Sequence, residues 1–246
     1  MKVKRNIIVT SLAIVGLCYL LIAYPLWQIE ESLLEVFFGV FGVIYAIIAG
    51  FVILVLLQNY NTIKVHIWAE VNALQDLRDY LIYVDNQNNV VEKLRKTIKN
   101  YVESIIEKEW KDMVGSGKVD MDTSAEIYEI MKSINAIKVT NPSDAVALNK
   151  LIDTLGNITT HRTNRLCSSG EKLPFLLFMF VVILSVLVVF IFTLLPIQDT
   201  LTRFLLNGVN IFAAVFIYII IWDLNHPFKG TWSINYKPYQ DFLARM

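Results

Sequence analysis

The sequence predicts an all-α membrane protein, with four transmembrane helices and a helical cytoplasmic domain between the second and the third. Three observations support this fold class. Hydrophobic residues make up 55% of the 246 residues, four windows are almost free of charge, and charged residues are dense between positions 58 and 172. This pattern is typical of a membrane protein with one large polar domain. The 22 basic and 22 acidic residues balance, so we expect no nucleic-acid partner.

The four apolar windows are the predicted transmembrane helices. Each has about twenty residues, which at ~1.5 Å per residue is long enough to cross a hydrocarbon core of roughly 30 Å. The first window follows three basic residues, as in a signal peptide, but no small-residue cleavage site follows it, so we interpret it as a retained span. The windows are residues 6–27, 36–57, 173–195 and 201–222.

The distribution of Lys and Arg predicts the orientation. Fifteen of these residues lie in 58–172 and three in each terminal tail, whereas the loop Gln28–Glu35 has none. Because Lys and Arg concentrate in cytoplasmic segments, both termini and the middle domain are predicted to lie in the cytoplasm. The predicted parts are the first two spans in 1–57, the cytoplasmic domain in 58–172, the last two spans in 173–222 and a cytoplasmic tail in 223–246.

The segment 58–172 is predicted to be entirely helical, because its apolar residues recur at steps of three and four. No Gly or Pro occurs between Gly50 and Gly115, so the second span is expected to continue unbroken into the first cytoplasmic helix. Ser143 is the predicted N-cap of the last cytoplasmic helix. The four apolar stripes are Ile67, Val71, Leu74, Leu77, Leu81, Val84; Val91, Leu94, Ile98, Val102, Ile105; Ile127, Ile130, Ile134, Ile137; and Leu148, Leu151, Leu155, Ile158.

No sequence motif indicates catalysis or a bound cofactor. The chain lacks a phosphate-binding loop and the hydrolase and zinc-protease signatures. The three histidines, His66, His161 and His226, do not have metal-ligand spacing, although His66 and His161 could meet in the fold. We therefore expect neither an enzyme nor a resident metal.

No Asp, Glu, Lys, Arg or His lies deep within any of the predicted spans. Ion-coupled transporters usually keep such groups near the membrane midplane, so their absence weakens the pump and transporter interpretations. A channel needs none, because backbone, small residues and apolar constrictions can line a pore. The polar pair Asn207 and Asn210 in the fourth span is expected to form hydrogen bonds between helices.

The second span has features that could build a pore. Glycines interrupt it at positions 39, 42 and 50, with phenylalanines at 37, 38, 41 and 51 close by. One interpretation is close helix packing, which small residues permit. The other is a pore-lining helix with a phenylalanine gate, for which the candidate residues are Phe38, Gly39, Phe41 and Gly42.

Acidic residues precede the second span. Glu30, Glu31 and Glu35 lie at its outer end, where rings of carboxylates around a symmetry axis would attract cations. The alternative is a solvated acidic loop without a role in ion conduction, which is acidic only because Lys and Arg concentrate in cytoplasmic segments. In a helix, Glu35 shares one face with Phe38, Gly39 and Gly42, so a carboxylate ring would stand above an apolar constriction.

Several stretches resemble a prokaryotic bestrophin-like integral membrane family. They are GVIYAIIAGFVILVLLQNY, AEVNALQDLRDYL, YVESIIEKEWKDM, Arg162–Leu166, Leu173-Pro174 and DLNHPFKGTWSI. The matching positions are Tyr45, Glu70, Asn72, Leu74, Leu77, Glu109, Trp110, Arg162, Arg165, Pro227, Phe228 and Gly230. Members usually have D-R-P-F where this chain has Asn225-His226-Pro227-Phe228, so an ion pair made by that arginine is lost or replaced.

The resemblance implies a homo-oligomeric channel with the predicted topology, in the plasma membrane of a prokaryote. The acidic outer mouth favours a cation channel that passes Ca2+, K+ or Na+. The alternatives left open are a bestrophin-like chloride channel, a membrane-anchored scaffold or sensor without a pore, and a transporter or membrane enzyme. Of the matching positions, Glu70, Glu109, Arg162 and Arg165 are expected to form at least one ion pair that ties the first cytoplasmic helix to the last.

Overall fold

The computed structural model of the protein describes residues 31–84, 87–115 and 124–246, and within these ranges the regular structure is helical, without strands. A 3-10 turn at Tyr80–Tyr83 extends the first helix, and a π-helical turn at Ile105–Glu109 joins the second to the third. The helices are α1 (Glu31–Asp79), α2 (Asn88–Ser104), α3 (Trp110–Val114), α4 (Ala125–Asn135), α5 (Pro142–Gly170), α6 (Phe175–Thr193), α7 (Thr200–Leu224) and α8 (Lys237–Leu243).

Helix α1 is a single helix of 49 residues, which confirms the predicted continuity of the second span with the first cytoplasmic helix. At ~1.5 Å per residue it is about 74 Å long, more than twice the thickness of a hydrocarbon core. The glycines at 39, 42 and 50 do not interrupt it. Its apolar first half and its more polar second half therefore belong to one helix.

The described chain divides into two compact units. The first contains the residues up to Leu57 together with Leu173–Asn225, and the second contains Gln58–Lys172 together with His226–Met246. In the described part, α1, α6 and α7 are long and apolar enough to cross a membrane, in agreement with an all-α membrane protein. The predicted first span, 6–27, lies outside the described residues.

The second unit has a hydrophobic core made by the predicted stripes. Ile67, Leu74 and Leu77 of α1 and Leu94 and Ile98 of α2 are almost fully buried. The stripes of α4 and α5 complete the same cluster, to which the tail adds Phe228 and Phe242. The helical periodicity of the sequence thus identified this core, because residues three and four apart lie on one face of a helix.

The predicted N-cap of α5 is wrong by two residues. Asn141, not Ser143, caps the helix: its side chain accepts a hydrogen bond from the Asp144 backbone N–H at 2.7 Å. Asp144 returns the contact by accepting from the backbone N–H of Asn141, which completes a capping box. Pro142 explains the shift, because its fixed φ and missing N–H suit the first helical position. The other end of α5 is at Gly170, four residues before Pro174.

Candidate functional site

The N-terminal end of α1 contains two of the three residues of the predicted acidic mouth. Glu35 is solvent-exposed and lies one turn inside the helix. Glu31 is the first residue of α1, and Glu30 lies outside the described residues. Of the three predicted carboxylates, Glu35 is thus the one whose side chain can be described, and it is free to face water or another subunit.

The predicted gate residues make contacts inside the subunit. The ring of Phe38 lies 5.0 Å from that of Phe192, near the end of α6, measured between centroids. Phe41 stacks on Phe37, with centroids 5.8 Å apart and planes 7° from parallel. The start of α1 and the end of α6 therefore lie at the same end of this unit.

A cavity of about 420 Å³ lies beside this face of α1. Phe38, Gly39 and Gly42 form its α1 wall, Ser185 belongs to α6 and Asn210 to α7. A Cβ built on either glycine would meet no atom within 4 Å in the described part of the chain. Among the described residues, these two glycines therefore do not mediate close helix packing. Instead, they border the cavity.

Two amides of α7 have buried polar atoms in the apolar unit, and one of them, that of Asn210, lines this cavity. Asn207 is only 3% exposed, yet neither its Oδ1 nor its Nδ2 has a hydrogen-bond partner among the described residues. The Nδ2 atom of Asn210 is also buried and has no hydrogen-bond partner among the described residues. The expected interhelical hydrogen bonds of these amides are therefore not formed within the described chain. Because burying an unpaired amide costs on the order of 2 kcal/mol or more, such groups are candidates for contacts with water, ions or another helix.

The second unit brings together the four residues expected to form ion pairs. Arg165 of α5 is fully buried; its Nε donates to Glu70 Oε2 at 2.8 Å and its Nη2 to Glu109 Oε2 at 2.7 Å. Arg162 Nε donates to Glu109 Oε1 at 2.7 Å. Two guanidinium groups thus face two carboxylates, and the cluster is electrically neutral. These contacts join α5 to α1 and to the π-helical turn.

Two tyrosines complete the hydrogen bonding of Glu70. Tyr101 of α2 donates its hydroxyl to Oε1 at 2.7 Å, and Tyr239 of α8 donates to Oε2 at 2.8 Å. Glu70 is 0% exposed, so these bonds and the guanidinium replace its hydration. Sequence reasoning missed both tyrosines. Tyr101 begins one of the stretches that carry the family resemblance, whereas no signal in the sequence singles out Tyr239.

The aromatic side chains of the C-terminal tail surround this cluster. Trp110 packs edge-on against Phe228, Tyr236 and Tyr239, with ring centroids 5.2, 5.8 and 6.2 Å away. The π-helical turn precedes Trp110 directly and sets the directions of both Glu109 and Trp110. The tail is therefore held to the helices of the second unit by apolar contacts and by the hydrogen bond from the Tyr239 hydroxyl to Glu70.

The electrostatics of the cluster favour its charged forms. Desolvation raises the pKa of Glu109, but the charges and hydrogen bonds of Arg165 and Arg162 outweigh this, so the pKa is lowered from 4.5. Desolvation lowers the pKa of Arg165, whereas its carboxylate neighbours raise it, and the pKa ends well above its usual value. Burial, then the charge of Glu70, raises the pKa of Tyr101 well above 10. At neutral pH Glu109 and Arg165 therefore stay charged, and Tyr101 keeps the hydroxyl proton that it donates.

His66 and His161 meet in the second unit, with ring centroids 5.8 Å apart. Their Nδ1 atoms are buried and have no hydrogen-bond partner among the described residues. No third His, Cys, Asp or Glu joins them to make a metal-binding group within that same part of the chain.

The fold and these sites define the class: an α-helical membrane protein with long apolar helices and a helical polar unit built around a buried charge cluster. A family model described as a bestrophin-like domain matches residues 9–239, nearly the whole chain. The chain therefore belongs to the bestrophin-like family. Searches of the curated proteins and of the solved structures found no match. Family membership suggests an oligomeric ion channel in a membrane, in general terms.

Proposed function

We propose that this chain forms a homo-oligomeric, cation-selective channel that passes divalent ions such as Ca2+, with α1 lining the pore. The observation that supports it is the face of α1 that begins with exposed Glu35 and continues with Gly39 and Gly42, beside which the described chain leaves open space. A carboxylate above an uncharged narrow segment attracts cations and repels anions. A divalent ion gains twice the Coulomb energy of a monovalent ion at the same distance.

The proposal requires several subunits. Four spans are too few to enclose an aqueous path, whereas copies of α1 around a symmetry axis can enclose one. It also includes four spans, both termini in the cytoplasm of a prokaryotic cell, and no catalytic activity. The phenylalanines near the start of α1 would form the constriction, and Phe38 would be held in position by its contact with Phe192.

The test is ion flux through the purified protein in liposomes. Glu35→Gln keeps the shape of the side chain but removes its charge, so Ca2+ flux should fall several-fold while assembly is unchanged. The matched control is Glu103→Gln, because Glu103 is an exposed carboxylate of α2 in the other unit. Equal Ca2+ flux in the two variants would contradict the assigned role of Glu35.

A second pair of variants tests the constriction. Phe38→Ala should raise basal flux, whereas Phe51→Ala, a change of the same size on another face of α1, should leave it unchanged. If wild-type chloride flux exceeds cation flux, the anion-channel alternative replaces the proposal. If a stable oligomer passes no ion, the chain is better described as a scaffold or sensor.

A further inference from the structure

A polar pocket of about 360 Å³ lies in the second unit, between α1 and the C-terminal tail. Its floor is apolar: Ile67 is 1% exposed and Ile234 is 8% exposed. Its α1 wall carries two aromatic rings, those of Tyr60 and Trp68, and Trp68 is 52% exposed. Such a large exposed ring beside an apolar floor is available to a ligand that has an apolar or planar part.

The pocket has two cationic groups. Lys64 comes from α1 and Lys237 is the first residue of α8, and both side chains are exposed. Within the described residues neither ammonium group is ion-paired; that of Lys64 lies 5.6 Å from the centroid of the Tyr60 ring. Asp241 is the one carboxylate of the pocket, so the lining has a net positive charge.

The position of the pocket along α1 relates it to the membrane surface. On this continuous helix Tyr60 follows Leu57, the last residue of the predicted span, by three positions and Trp68 follows it by eleven, a rise of about 5 to 17 Å. The headgroup layer outside the hydrocarbon core is roughly 5 to 8 Å thick, so Tyr60 lies at the depth of this layer and Trp68 lies beyond it, on the water side.

We infer that this pocket binds a phosphate group attached to an apolar or planar body. The ammonium groups of Lys64 and Lys237 hold the phosphate, and the body packs on Trp68 and the apolar floor. A lipid headgroup and a soluble phosphate ester share this chemistry. The inference does not depend on the proposed channel function, since binding at this pocket requires no ion flux.

The experiment measures phosphatidylglycerol retained by the full chain in native mass spectrometry, with phosphatidylcholine as the comparison lipid. Lys64→Gln and Lys237→Gln should each weaken phosphatidylglycerol binding on the order of fivefold, as expected for the loss of one charge near the phosphate. Asp241→Asn should strengthen it, because it removes the opposing charge. Lys150→Gln is the control, since Lys150 is an exposed lysine of α5 outside the pocket.

A second arm identifies the source of the phosphate. Glycerol 3-phosphate is added to the protein in a neutral detergent, and its binding to the same variants is measured. If it binds as tightly as the lipid and depends equally on Lys64 and Lys237, the ligand is a soluble phosphate ester. If the lysine variants and the Lys150 control bind both probes equally, or if neither probe binds to the wild type, the inference is wrong.

Discussion

Replacing Arg165 with methionine removes its guanidinium but keeps most of the length of the side chain. In the native protein this group forms ion pairs with the carboxylates of Glu70 and Glu109, and both Arg165 and Glu70 are 0% exposed. The variant leaves the buried carboxyl of Glu70 without its cationic partner and bonded to two tyrosine hydroxyls. Breaking a buried pair from one side costs about 3 to 5 kcal/mol, because the remaining charge is not compensated.

The assay is thermal unfolding of the purified protein. A loss of about 3 kcal/mol in a unit of this size should lower Tm by roughly 10 °C. The control is Lys132→Met, which removes a cation from the exposed pair with Glu129, and its Tm should stay close to that of the wild type. Adding Glu70→Gln to the Arg165 variant replaces the carboxyl that has lost its partner. The free energy of unfolding of the double variant should therefore fall by less than the sum of the losses in the two single variants.

An Arg165→Met variant whose Tm matches that of the Lys132 control would refute this reasoning. The four charged residues would then not hold the helices together, and binding of a ligand would be the better explanation of their presence. Additive losses in the double variant would also contradict the argument, because they would mean that the two side chains do not depend on each other.

Three further outcomes are expected. A reporter fused after Asn88 should be cytoplasmic and one fused after Glu31 external; the reverse result would overturn the predicted orientation. The pKa of Glu109 is lowered in the folded state, so its carboxylate stabilises the fold above its unfolded pKa, and this stabilisation is lost as the pH falls through the folded pKa. Below about pH 4.5 the Tm of the wild type should therefore fall more steeply than that of Glu109→Gln. Parallel curves of Tm against pH would contradict this role of Glu109. Asn141→Ala should lower the free energy of unfolding by about 1 kcal/mol, because it removes the N-cap of α5. The measurement is Tm, with Ser143→Ala as the control because Ser143 is exposed and lies two residues after the cap. An equal Tm for the two variants would contradict the assignment of Asn141 as the cap.

The sequence alone predicted those features that depend on residues close together in the chain. Apolar runs predicted the spans within α1, α6 and α7, and the spacing of apolar residues predicted the core positions of the second unit, because helical periodicity determines which residues share a face. The same local reasoning failed at the cap of α5, because Pro142 takes the first helical position and Asn141, which caps a helix as well as serine does, precedes it. The family resemblance, carried by short stretches distributed along the chain, was confirmed over residues 9–239.

Only the tertiary structure decided which residues meet. Glu70 is joined by Tyr101 and Tyr239, which are 31 and 169 positions away, and no periodicity in the sequence relates such distant side chains. The space that the described residues leave beside Gly39 and Gly42 likewise depends on how α6 and α7 pack against α1. A helix specifies its own faces through its sequence, but the partner of each face is set by the crossing angle and register of separate helices, which exist only in the folded chain.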